Sequence, residues 1–127
     1  MVMRFLAGLV AGLLVGYVLF EALLSGFQLL TPDTDINANL AQGKGLANLP
    51  AVALTSFWGL AATVSAAMAT AIARLNLAGW LAGALWCVSA LFVTGLGGLN
   101  DLAVAAAVVV CLAGAVLGNR AARLAST

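Results

Sequence analysis

Four uninterrupted apolar runs, at residues 5–30, 50–73, 77–96 and 102–118, decide what this chain can become. Each is close to the roughly 17 to 25 residues that an α-helix needs to cross a hydrocarbon core about 30 Å thick. Of the 127 residues 65% are hydrophobic and 7% are charged, against about a quarter charged in ordinary globular chains. A water-soluble domain is thereby excluded. The expected architecture is one all-α transmembrane domain over residues 1–127, an integral membrane up-down four-helix bundle. The first run is long enough to require tilt, and the fourth is near the lower limit. The apolar stretch after Arg4 is too long for a signal-peptide core of roughly 7 to 15 residues, and Glu21 interrupts it, so it reads as a retained span.

Charge placement gives the expected orientation. Arg4, Arg74, Arg120 and Arg123 fall at the N-terminus, the second connection and the C-terminus, whereas Asp33, Asp35 and Asp101 fall in the first and third connections. Basic residues stay on the cytoplasmic side, so both termini are expected in the cytoplasm of a bacterial cell, with the chain in the inner membrane. Lys44 is the only basic residue on the opposite side. The net charge of +1 provides no field to attract nucleic acid.

The chain has no histidine. Imidazole-held haem, His-bearing zinc sites and Ser-His-Asp or Cys-His pairs are therefore closed to it, and no enzyme activity, metal or cofactor is expected. Cys87 and Cys111 both fall in apolar spans, where they read as small buried hydrophobes.

Glycines repeat every four residues in three spans: Gly8, Gly12 and Gly16, then Gly79 and Gly83, then Gly114 and Gly118. Such GxxxG stripes let helix backbones approach closely, either within the chain or against a partner. The opposite face of the first span carries Tyr17, Glu21 and Gln28, with Ser25 to one side. Glu21 is the only ionisable residue well inside a span, which makes it the leading functional candidate, against a structural role in hydrogen bonding to a neighbouring helix. Ser56, Thr63 and Thr70 recur at sevens in the second span, with Thr55 and Ser65 nearby, and are expected either to pair with the Glu21 stripe or to bond within the helices. Phe57, Trp58 and Trp80 read as interfacial anchors, and Trp86 as a deeper packing or lipid-facing ring.

The long external loop, residues 31–49, is expected to carry a short surface helix running from the caps around Asp33 and Asp35 to Gly43. Asp33, Asp35, Asn37 and Asn39 alternate like the start of a calcium loop. Ala38 stands where its glycine belongs and Lys44 where its bidentate Glu belongs, so solvated loop polarity is the better reading. Pro50 suits the first turn of the second helix.

The segments Gly8-Leu9-Val10-Ala11-Gly12 through Glu21, Pro32-Asp33, Leu49-Pro50-Ala51 ahead of Trp58-Gly59, and Ala115-Val116-Leu117-Gly118 resemble uncharacterised small four-span bacterial inner-membrane proteins. The resemblance implies the same fold and supplies no activity. Where such proteins often carry a stretch rich in proline and histidine, this chain has Val93 to Gly98. The expected function is a non-catalytic accessory or assembly subunit of a larger inner-membrane complex, docked in the bilayer to other subunits through its glycine faces. The alternative is a small homo-oligomeric transporter or channel in which Glu21, Tyr17 and the hydroxyls of the second span line a path.

Overall fold

The computed structural model describes residues 2–30, 43, 48–96, 98, 99 and 101–125. These form four helices: α1 (Val2–Leu30), α2 (Asn48–Ala73), α3 (Asn76–Leu96) and α4 (Asp101–Ala125). All four are long and apolar enough to cross a membrane, which fits a multi-pass membrane protein. The expected surface helix and the aspartates of the first loop lie outside the described residues, apart from Gly43 in a turn.

The helix ends differ from the apolar runs most at α4, which continues to Ala125 where the run stops at Gly118. The apolar run ends at Asn119 and Arg120, but neither residue breaks a helix, and Arg123 in the last turn complements the negative end of the helix dipole. Asp101 in the first turn complements the positive end. Pro50 sits in the first turn of α2, where its missing N–H costs no hydrogen bond. The chain reverses between α2 and α3 through two residues. Arg74 there adopts φ 55°, the left-handed conformation that more often falls to glycine, and its N–H bonds Thr70 O at 2.8 Å.

The central helix is α2. It packs against each of the other three, whereas α1 touches α3 only sparsely. Its seams are built from small side chains: Ala61, Ala62, Ala66 and Ala69 are fully buried. The α1 stripe lies on one side of it, where a Cβ on Gly8 would stand 2.8 Å from Ala69 O and one on Gly12 would stand 2.5 Å from Ser65 O. On another side, a Cβ on Gly114 would stand 2.6 Å from Gly59 O and one on Gly118 would stand 3.0 Å from the backbone nitrogen of Ala67. Gly79 faces Ala66 O, Thr70 and Asn119, and Gly83 faces Ala115. In a bilayer the helices gain no hydrophobic energy by meeting, since lipid is equally apolar, so contact this close is what holds such a bundle together. The glycines expected to serve either internal packing or a partner are thus all in contact with helices of the same chain.

Antiparallel packing of successive helices brings Arg4, Arg74, Arg120 and Arg123 to one end of the bundle and Asp101 to the other. Arg4 closes the cationic end by donating from Nε to Ile72 O at 2.9 Å.

Candidate functional site

Where α1 and α3 diverge, they leave a crevice of about 450 Å³. Tyr17 and Glu21 enter it from α1, Trp58 from α2, and Leu85, Trp86 and Ser89 from α3. Trp86 packs directly on α1 beside the crevice: a Cβ on Gly16 would stand 3.1 Å from its Cζ2.

The floor of the crevice is aromatic. Phe20 lies between two indoles, with ring centroids 5.2 Å from Trp58 and 6.0 Å from Trp86, both tilted. Such ring pairs add stability beyond the area they bury. Trp58 is 3% exposed and Trp86 8%. The expectation that Trp58 anchors the chain at a membrane interface is therefore corrected: it is the eleventh residue of α2 and faces the bundle interior. Trp80, near the start of α3, is 45% exposed, and Phe57 pairs edge-on with Phe27 at 6.1 Å.

Beneath the rings runs a buried polar chain. Trp86 Nε1 donates to Ser65 Oγ at 2.6 Å, and Ser65 Oγ donates to Gly12 O at 2.7 Å. One hydroxyl therefore satisfies a buried indole and links α3, α2 and α1. The glycine at position 12 allows this, because without a side chain its carbonyl lies within reach of α2.

The candidate polar residues do not all meet. Tyr17 and Glu21 share the crevice and are both exposed. Gln28, seven residues beyond Glu21, is not part of the crevice; it is half-buried and its Nε2 has no hydrogen-bond partner among the described residues. Ser56 and Thr63 are also outside it, so of the two expectations for the α2 hydroxyls these follow bonding within the helix and do not pair with the Glu21 stripe. Ser56 donates to Val52 O at 2.9 Å and Thr63 to Gly59 O at 2.7 Å, each one turn back on its own helix. The physical reason is rotational: Thr63 and Thr70 lie on the side of α2 turned to α4, against Gly114 and Asn119.

Three participants were not singled out in the sequence. Ser89 lies three residues after Trp86 on the same face of α3, a spacing that marks it once Trp86 is known to point inward. Asn119 is 4% exposed and accepts a hydrogen bond from Thr70 through Oδ1, while its Nδ2 has no partner among the described residues. It falls just beyond the end of the fourth apolar run, where hydropathy no longer predicts burial. Phe20 looks like any other apolar residue of its span until the two indoles are placed around it. Cys87 and Cys111 are free thiols, with Cys111 buried. Among the described residues no group of three or more Asp, Glu, Cys or His side chains is placed to hold a metal.

The described residues form an all-helical protein with four candidate membrane-spanning helices and an outward crevice bearing a carboxylate. Compared with protein-family models, curated proteins and solved structures, the chain matches none.

Proposed function

We propose that this chain is a small, non-catalytic, homo-oligomeric transporter or channel of the bacterial inner membrane, working through Glu21. The observation that carries the reading is the Glu21 carboxylate, exposed in the α1–α3 crevice and the one charged side chain between Phe5 and Leu30. An ionisable side chain facing lipid is costly, so such a residue lines a cavity or meets a partner. One subunit leaves the crevice open to the side, and a second copy closes it. The cationic end of the bundle supports a cytoplasmic position for both termini.

The accessory-subunit reading is the second one. Its expected docking surfaces, the glycine stripes, are occupied within the chain, so a partner would have to use another face. The row Val10, Leu14 and Val18 on α1, each more than half exposed and spaced at four, is the observation that favours it.

Gentle extraction from the native membrane followed by mass determination separates the two. A homo-oligomer in which Glu21→Gln retains assembly but loses flux is the expected result. A larger complex with other proteins at fixed stoichiometry, unaffected by Glu21→Gln, would replace the transporter by the accessory subunit.

A further inference from the structure

We infer that the α1–α3 crevice binds a lipophilic monocation, an apolar amine or quaternary ammonium of drug size. The inference rests on the transporter reading and names its substrate class. Size is the first argument. A volume of about 450 Å³ falls in the range of roughly 300 to 1,000 Å³ typical of small-molecule sites.

Chemistry is the second argument. The floor is lined by Phe20, Trp58 and Trp86, and the Trp86 N–H is already donated to Ser65, so this indole brings no free polar group to it. Aromatic faces attract cations through the ring quadrupole. Glu21 supplies one negative charge at the rim, beside the hydroxyls of Tyr17 and Ser89. Among the described residues no arginine or lysine lines the crevice, and the four arginines gather at the end of the bundle. An anion would meet repulsion here, and a neutral apolar molecule would leave the carboxylate uncompensated. A single positive charge on an apolar body satisfies both parts of the wall.

The test uses the full chain in lipid nanodiscs, with 4-phenylbutyltrimethylammonium as probe and its neutral carbon isostere as control, read by tryptophan fluorescence. Saturable binding of the cation is expected, at least tenfold tighter than that of the isostere and at least tenfold weakened by Glu21→Gln. Leu85→Trp, which fills the crevice from a half-exposed position, is expected to abolish binding while leaving helix content unchanged. Equal binding of cation and isostere, no saturable binding, or an unaltered affinity in both variants would overturn the inference. Each of those results leaves the transporter reading to be decided separately by the mass and Glu21-dependent flux of the extracted protein.

Discussion

The two contacts made by α1 are built on opposite rules. Against α2, glycine meets alanine and backbone meets backbone, so closely that a methyl group on Gly8 or Gly12 would collide with a carbonyl oxygen. Against α3 contact is sparse: the large ring of Trp86 meets Gly16, and Glu21, Tyr17 and Ser89 line an open crevice. In a lipid solvent, close backbone approach is a source of stability, and its absence marks a surface released from that duty. The first interface is close-packed, and the second leaves the crevice on which the proposed function rests.

Substitutions can break or sharpen this contrast. The largest effect is expected at Gly118→Leu, whose added side chain meets the backbone of Thr63 and Ala67. A loss of about 3 kcal/mol or more is expected, measured by reversible unfolding in mixed micelles. A tolerated leucine there would show that the α2–α4 seam is looser than described. Next is Ser65→Ala, which removes the acceptor of the buried Trp86 N–H and should cost about 1 to 3 kcal/mol by the same assay. It should also shift the tryptophan emission, since the indole loses its partner.

Arg74→Gly is expected to act in the opposite direction. Glycine relieves the left-handed backbone at φ 55°, offset in part by its greater unfolded-state entropy, for a net gain of about 0.5 to 1 kcal/mol in the same unfolding curve. The smallest effect is expected at Glu21→Gln, within about 0.5 kcal/mol, because the residue is exposed in the crevice and no hydrogen bond among the described residues depends on it. A large destabilisation by Glu21→Gln would make it a structural residue and remove the functional distinction between the two interfaces.

Much of the fold is legible in the sequence because its signal is length and apolarity, which single residues carry additively. The four runs locate four helices, and the only sizeable displacement is at α4, where helix continues past the apolar stretch through Arg120 and Arg123. The glycine stripes identify close contacts but not their partners, since a stripe has the same spacing whether it meets its own chain or another. The site is legible only in part. Glu21 and Tyr17 stand out as polar residues in an apolar span, and they do share a crevice. The hydroxyls of α2 face elsewhere because helical spacing fixes which residues lie together on one helix and leaves open which neighbour that face meets. Ser65 shows the same limit from the other side: it sits among several hydroxyls in α2, and its role appears only when Gly12 and Trp86 are brought to it.

The central claim, that the glycine stripes are spent inside one chain, is most directly tested by magic-angle-spinning NMR in lipid bilayers, with glycine and alanine isotopically labelled. The contact between Gly12 and Ala69 should give a cross-peak that persists when labelled protein is diluted into an excess of unlabelled chains. A cross-peak lost on dilution would place that contact between chains, contradicting the account and returning the glycine faces to the role of docking surfaces.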